Sequence, residues 1–355
     1  MTDVSQTVDK VDKAHLGEMK DMDIEDVYVQ MDAYLEKRPG PLDLYKRWEV
    51  QGWAASELDF STDKDHWDNS FIPFVREQLT YAFSAFFIGE QAVTDTLSPL
   101  VIGAPTEEDR WFLSTQVVDE ARHAYFFARF FNEVVGTPGS AGQAISAVQE
   151  NADSQAYNNI FGKDGDLVRL TEAVRLDPTD HSKWVKGITI YHLMIEGLLA
   201  LVGQKFILRT LRMLDLLPAF RAGFTAVTRD ESRHVNYGVW ALAHAVKDGH
   251  GDEIKETVDG ALESCFRIYA NPERKIDIPP EIPPGARQDP RLNWSFGVDS
   301  LTKRLRVIGV DDGYLKTIGE RAWKTVWSAI DEYESRHGQE HPVRPWERGE
   351  IKALI

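Results

Sequence analysis

Asp119-Glu120-Ala121-Arg122-His123 and Asp230-Glu231-Ser232-Arg233-His234 are one pentapeptide pattern, D-E-x-R-H, used twice. Both copies lie inside long helical patterns. Glu and His three positions apart stand on one face of a helix, a turn from each other. Each copy therefore offers a carboxylate and an imidazole to the same point in space. On a solvated face a single E-x-x-H carries little information, but these faces are apolar. Glu120 shares its face with Leu113, Gln116, Val117, Phe127 and Phe131, and Glu231 shares its face with Phe224, Val227, Val235, Gly238 and Leu242. A carboxylate and an imidazole buried side by side need a compensating cation.

Two more glutamates stand alone in apolar helical runs. Glu90 is the one charge in Tyr81–Val93, flanked on its own face by Phe83, Phe86, Phe87 and Val93, and Glu196 is the one charge in Ile188–Val202. Unpaired, each would cost several kcal/mol to bury. The order along the chain is Glu90, Glu120/His123, Glu196, Glu231/His234. One Glu from each of two helices and one E-x-x-H from each of two others is the ligand pattern of ferritin-like dimetal carboxylate bundles. The six residues are thus candidate ligands for two metal ions. Carboxylate and imidazole donors suit iron and manganese without choosing between them. Four glutamates balance two divalent ions, and six protein ligands leave positions open for dioxygen. The competing reading pairs the glutamates with Arg122 and Arg233. Those arginines stand two residues past their glutamates and point elsewhere on the helix. Asp230 reads either as a hydrogen-bond partner of a ligand histidine or as a solvated aspartate, and Asp119 as facing out.

Around this centre the pattern is all-α: a ferritin-like antiparallel helical bundle with extra helices. Strand signals are nearly absent. Residues 1–23 read as a flexible tail. Residues 24–270 read as the dimetal bundle domain, with a helix over Leu42–Ser56 and long helices over Ser70–Pro99, from Thr106 as N-cap to Gly136, over His181–Leu211 and over Pro218–Lys247. Residues 136–165 form a Gly/Ser/Asn-rich connection with room for one short helix, and Asp252–Tyr269 adds a further helix. Residues 271–297 are a Pro-rich linker, extended over Asn271–Asn293 by Pro272, Pro279, Pro280, Pro283, Pro284 and Pro290. Residues 298–355 carry helices near Val298–Val307 and Asp312–Arg336 that pack on the same domain. The net charge of −17, without a Lys/Arg cluster, speaks against nucleic acid. The single cysteine, Cys265, excludes a disulfide within the chain. The acidic start is no signal peptide, and Glu90 and Glu196 interrupt the apolar runs, so no membrane span and a cytoplasmic location are expected.

The ligand order, the segment Trp53-Ala-Ala-Ser-Glu-Leu-Asp59-Phe-Ser61 and the triplet Arg229-Asp230-Glu231 resemble the ribonucleotide reductase small-subunit superfamily, from about Leu42 to Lys247. The resemblance implies a homodimer that uses dioxygen. In reductase subunits with a stable tyrosyl radical, that tyrosine follows the first E-x-x-H by four residues; here the position is Phe127. Those subunits commonly begin the ligand set with Asp; here it is Glu90. Gly89-Glu90-Gln91-Ala92-Val93-Thr94 and Tyr191-His192-Leu193-Met194-Ile195-Glu196-Gly197 look like the ligand-binding oxidase branch. In that branch a valine three residues after the first glutamate becomes joined to a tyrosine five residues before the glutamate of the third ligand helix. Val93 and Tyr191 hold those positions. The resemblance therefore implies a self-made ether crosslink, a manganese/iron or di-iron centre and a bound fatty-acid-like, lipophilic ligand. The plain alternative for Val93 and Tyr191 is core packing. His192, next to Tyr191, reads as a donor behind the ligands or a satisfied core histidine rather than an extra ligand. The span from His123 to Glu196 is longer than the branch leads one to expect, which puts the substrate side in question.

Two enzyme readings compete. One is an oxidase acting on its own small molecule, with Tyr191 the closest oxidisable side chain and Phe86, Phe127 and Phe131 lining a dry pocket. The other is a radical-generating β subunit of a class I ribonucleoside-diphosphate reductase, whose relay of aromatics would begin at Trp53 and Asp230. The absence of tyrosine from Gly338–Ile355 speaks against the second. An iron store would be shorter, and a non-enzymatic scaffold would leave Glu90 and Glu196 exposed.

Overall fold

The computed structural model describes residues 3–137, 139–282 and 287–351, and among them there is no strand. In chain order the helices are α1 (Val4–Lys13), α2 (Leu16–Met19), α3 (Ile24–Lys37), α4 (Pro41–Val50), α5 (Ser61–Asn69), α6 (Pro73–Thr96), α7 (Ser98–Ile102), α8 (Glu107–Phe130), α9 (Ala141–Val148), α10 (Gln155–Phe161), α11 (Asp166–Leu176), α12 (His181–Ile188), α13 (Leu201–Met213), α14 (Pro218–Lys247), α15 (Gly251–Tyr269), α16 (Pro290–Ile308), α17 (Asp312–His337) and α18 (Arg344–Glu347). Between α12 and α13 the chain does not break. It widens into a π-helix over Thr189–Ala200, and α8 likewise ends in a π turn, Phe131–Val135. The all-α bundle expected from the sequence is the fold found.

The bundle helices start and stop where local chemistry dictates. Thr106 caps α8 by accepting from Asp109 N, and Gly136 closes its π turn at φ 88°. Pro73 and Pro218 stand at the first position of α6 and α14, where a missing N–H is harmless. The cap of α14 comes from another helix. Asp63 of α5 accepts from Ala219 N (2.9 Å) and Phe220 N (2.7 Å), and His66 accepts from Leu217 N (3.1 Å).

Two apolar clusters fill the interior. One gathers Phe83, Phe87, Phe126, Phe127, Phe220 and Phe224; the other gathers Val93, Phe112, Tyr191, Leu193, Tyr237 and Leu242. Helices α6, α8 and α14 each run from one cluster into the other. Their acidic residues fall where the two clusters meet. The run His181–Met213 is long and apolar enough by composition to cross a membrane, but 89% of its most apolar window is buried inside the protein.

Several sequence expectations need correction. The loose tail over 1–23 is instead α1 and α2, with Thr7, Val8 and Val11 buried at helical spacing and Met19 fully buried. Asp12 there accepts from Gln30, Tyr34, Arg47 and Gln51, and Arg229 donates to Ala14 O. The connection 136–165 holds two helices, α9 and α10, because Ser140 and Ser154 cap them; α11 follows. The linker ends early: α16 begins at Pro290, since Asp289 caps it and proline suits a first helical position. The linker prolines Pro283 and Pro284, and residues 352–355 of the C-terminal segment, lie outside the described residues.

Candidate metal centre

The six candidate ligands meet at the junction of the two apolar clusters, all of them buried. Two sets have ligand atoms within 4.8 Å of one another: Glu90, Glu120, His123 and Glu231, and Glu120, Glu196, Glu231 and His234. Glu120 and Glu231 belong to both sets. The arrangement is thus two half-sites with two shared carboxylates, each completed by one terminal glutamate and one histidine.

The histidines present the same nitrogen to the centre. His123 Nδ1 lies 3.4 Å from Glu90 and from Glu120 and 3.5 Å from Glu231. His234 Nδ1 lies 3.0 Å from Glu196, 3.3 Å from Glu120 and 3.6 Å from Glu231. Each Nε2 turns to an aspartate of the other pentapeptide: His123 to Asp230 (3.3 Å) and His234 to Asp119 (3.1 Å). An aspartate at Nε2 holds the proton there and leaves Nδ1 as a lone pair for a cation.

Asp119 therefore does not face out. It is fully buried and accepts from Trp48 Nε1 (2.9 Å), Arg122 and Arg233 (3.0 Å). Asp230 accepts from Trp53 Nε1 (2.8 Å), Arg122 (2.9 Å) and Arg233 (2.7 Å). The two arginines thus neutralise the two aspartates and leave the four glutamates without a cation. The two pentapeptides are equivalent in the fold. Their identical pattern was the signal that both aspartates do the same work.

The electrostatics fit a missing positive charge. Burial raises the Glu90 carboxyl well above the ordinary range, and His123 offsets only part of that. Burial and then the charge of Glu231 raise Glu196 likewise. Glu120 goes the other way: burial pushes it up, but the adjacent imidazoles of His123 and His234 hold it well below its usual value. Burial pulls both histidines down, yet Glu90 beside His123 and Glu196 beside His234 hold them well above theirs. His123 Nδ1, Glu196 Oε2 and Glu231 Oε2 are buried without a hydrogen-bond partner. A donor set of four carboxylates and two imidazoles with such orphaned atoms suits two hard-to-borderline divalent ions.

The π-helix explains how Tyr191 and Glu196 reach one site. Residues five apart in an α-helix stand about 140° apart around the axis; a ladder of i→i+5 bonds brings them onto one face. Glu196 meets His234, and the Tyr191 hydroxyl donates to Glu120 Oε1 at 2.5 Å. The widened backbone is held by side chains: Ser300 donates to Gly197 O (2.9 Å), Tyr28 to Leu201 O (2.7 Å) and Tyr269 to Leu199 O.

A family model described as "Ribonucleotide reductase, small chain" matches residues 35–271, more than half of the sequence. The chain belongs to the ribonucleotide reductase small-chain family. Among solved structures, an R2-like ligand-binding oxidase from Sulfolobus acidocaldarius matches at TM-score 0.56 and 22% identity, over 79% of this chain and 90% of that one. A point mutant of an R2-like ligand-binding oxidase with aerobically reconstituted Mn/Fe cofactor matches at 0.59 and 18%, over 82% and 96%. The same comparison with an anaerobically reconstituted mutant gives 0.58 and 19%, over 80% and 92%. At these identities the likeness is one of fold.

The remaining sequence candidates fall as follows. Trp53 stacks beside His123, with ring centres 6.5 Å apart. Phe127 is fully buried among Phe86, Phe87, Phe126, Phe220 and Phe224, with no phenol in that group. Val93 and Tyr191 are buried members of the same apolar cluster. His192 lies in neither ligand set; its Nε2 pairs with Gln116 Oε1 (3.0 Å), and Gly238 makes room for it, since a Cβ there would stand 2.3 Å from His192 Cβ. Sequence reasoning missed Trp48 and Asp63, and it placed Gln116 on the face of Glu120 without the pairing to His192. A surface cleft of about 610 Å³, lined by Arg76, Tyr81, Asn151, Asn271 and Arg274 among others, opens beside α6, and none of the six candidate ligands lines it.

Proposed function

We propose that this protein is a dioxygen-activating dimetal oxidase that performs a two-electron oxidation or oxygenation of a small lipophilic molecule. The carrying observation is the pair of half-sites sharing Glu120 and Glu231. In this reading Glu90, Glu120, His123 and Glu231 hold one ion, and Glu120, Glu196, Glu231 and His234 hold the other, as manganese/iron or di-iron. The bound ions supply the redox chemistry that dioxygen needs.

The protein's own part is positioning and exclusion. Asp119 and Asp230 fix both imidazoles with Nδ1 inward. The rings of Phe86, Phe87, Phe127 and Phe224 form a wall without polar atoms, which keeps water out and suits a lipophilic, fatty-acid-like ligand. Phe127 and its neighbours offer no phenol to store a radical, which supports the oxidase over a tyrosyl-radical donor. Tyr191 is held with its hydroxyl on Glu120, which is placed to take the phenolic proton. A crosslink to Val93 would remove one hydrogen from the Tyr191 oxygen and one from the valine carbon, form one C–O bond, and pass two electrons to the dioxygen-derived oxidant. On the outer face of α8, Trp111, Val118 and Tyr125 are about half exposed at seven-residue spacing; this apolar stripe supports a homodimer. The reading places the enzyme in the cytoplasm.

The second reading, a radical-generating subunit of a ribonucleoside-diphosphate reductase, is favoured by one feature: the hydrogen-bonded line Trp53–Asp230–His123. Metal analysis tests the shared premise. Wild type should carry two iron or manganese ions per chain and Glu120→Ala markedly fewer; equal content in both sinks the site. Peptide mapping after aerobic loading tests the crosslink. A joined Val93/Tyr191 peptide pair two hydrogens lighter supports the oxidase, whereas free peptides together with ribonucleotide reduction in the presence of a large subunit would establish the alternative.

A further inference from the structure

The two half-sites have matching lines of side chains behind them, but these lines end differently. Behind His123 the line is Asp230 and then Trp53, whose ring is sealed: Trp53 is 9% exposed, belongs to an apolar cluster, meets Phe126 edge-on and is covered by the Arg122 guanidinium. Behind His234 the line is Asp119 and then Trp48 on α4. Trp48 is only partly buried, and its indole neighbours the ring of Tyr45, also partly buried, at 6.0 Å. Two hydrogen bonds, 3.1 and 2.9 Å, thus connect a ligand-type imidazole at the centre to an indole at the molecular surface.

Satisfying Asp119 does not account for this contact. Arg122, Arg233 and His234 already donate to it, and Trp48 is the donor that leads outward. Nor does the indole fill the core: neither apolar cluster includes it. What the geometry provides is an unbroken path of π systems and short hydrogen bonds through a wall that otherwise excludes solvent and solutes. An electron crosses such a path far faster than it crosses the same distance of packed aliphatic side chains, while a molecule of reductant cannot enter at all.

We propose that Trp48, through Asp119 and His234, is the entry route for reducing equivalents to the metal pair. The inference rests on the dimetal reading above. A one-electron donor at the Tyr45/Trp48 surface is oxidised by one electron, and one ion of the oxidised pair is reduced by one; two such events restore the fully reduced pair, and no bond in the protein is made or broken. Trp48 and Asp119 are positioning and relay residues here and touch no substrate. The asymmetry assigns the open line to reduction from outside and leaves the sealed Trp53 line closed to solution.

The test is the rate at which the aerobically loaded, full-length protein loses its charge-transfer absorption when mixed anaerobically with reduced methyl viologen. Trp48→Phe should slow this about tenfold or more, a rise of about 1.4 kcal/mol in the barrier, while Trp323→Phe, at a partly buried tryptophan of α17 outside both lines, stays within about twofold of wild type. Both variants should keep the metal content and the metal-free melting midpoint of wild type, which separates a relay from a structural prop. Trp48→His guards against poor folding of the phenylalanine variant: the shorter ring keeps an N–H donor but does not span to the surface, and slow reduction is again expected. Reduction of Trp48→Phe or Trp48→His at the wild-type rate, or equal slowing by Trp323→Phe, overturns the relay alone. A wild-type protein that takes up no metal overturns the dimetal reading and the relay with it.

Discussion

Each histidine at the centre is committed at Nε2, and that commitment is made by the two aspartates rather than by the six candidate ligands. Asp119 and Asp230 fix the Nε2 protons, Arg122 and Arg233 neutralise those aspartates, and the four glutamates are left to face a cation. Replacing Asp119 by Asn swaps an acceptor for a group that can present N–H to His234 Nε2, which removes the preference for an Nδ1 lone pair. Asp119→Asn should therefore weaken metal binding about 10- to 100-fold, as loss of such an outer partner commonly does. Competitive metal titration measures it, with Asp9→Asn as a surface control, since Asp9 makes only an exposed pair with Lys13. Retention of wild-type affinity by Asp119→Asn would show that the aspartate does not hold the ring.

Helix α14, which bears both Glu231 and His234, starts on Leu217 in the left-handed region (φ 51°) and has no side-chain cap of its own. Asp63 supplies the cap from α5. Asp63→Ala should cost about 0.5–2 kcal/mol of stability by denaturant melting, the usual value of an N-cap acceptor. The carboxyl also titrates in a useful range: burial outweighs its two backbone hydrogen bonds and pushes it up to about 6. A raised acid binds its proton more tightly folded than unfolded. Its stabilising share is therefore complete below the unfolded value of about 4 and is lost as pH rises through about 6. The stability difference between wild type and Asp63→Asn should move against wild type across that window; a difference flat from pH 4 to pH 7 would refute the shift. The π-helix over Thr189–Ala200 makes the same point about elements: Ser300 and Tyr269 from two other helices donate to its carbonyls and Tyr28 to that of the next residue, Leu201, and nothing within Thr189–Ala200 announces it.

In the whole molecule, α1 and α2 close the side of the bundle that holds the Asp/Arg layer. Arg229 leans on Ala14 O and on Gln51 O, Gln51 accepts from Arg233, and Asp12 ties α1 to α3 and α4. Removing residues 1–23 exposes the faces now covered by Val11 and Met19, each of which is worth about 1.5–3 kcal/mol when fully buried. The truncated chain should melt at clearly lower denaturant concentration. An unchanged midpoint would mean that these helices only decorate the surface.

Spacing alone determined that the chain is all-helical, that two E-x-x-H turns and two lone glutamates lie on apolar faces, and that such carboxylates need a cation. A helix face is a local property, written in every third and fourth residue, so the buried apolar faces that carry Glu90, Glu120, His123, Glu196, Glu231 and His234 were legible without coordinates. Partners across helices were not. That Asp119 serves His234 and Asp230 serves His123, that Trp48 reaches the same layer, that Asp63 caps a helix far along the chain, and that a π-helix turns Tyr191 and Glu196 to one side were decided only when the helices packed. The physical reason is the same in each case: a hydrogen bond between distant segments has no periodicity in the sequence, and only the tertiary structure brings its donor and acceptor within 3 Å.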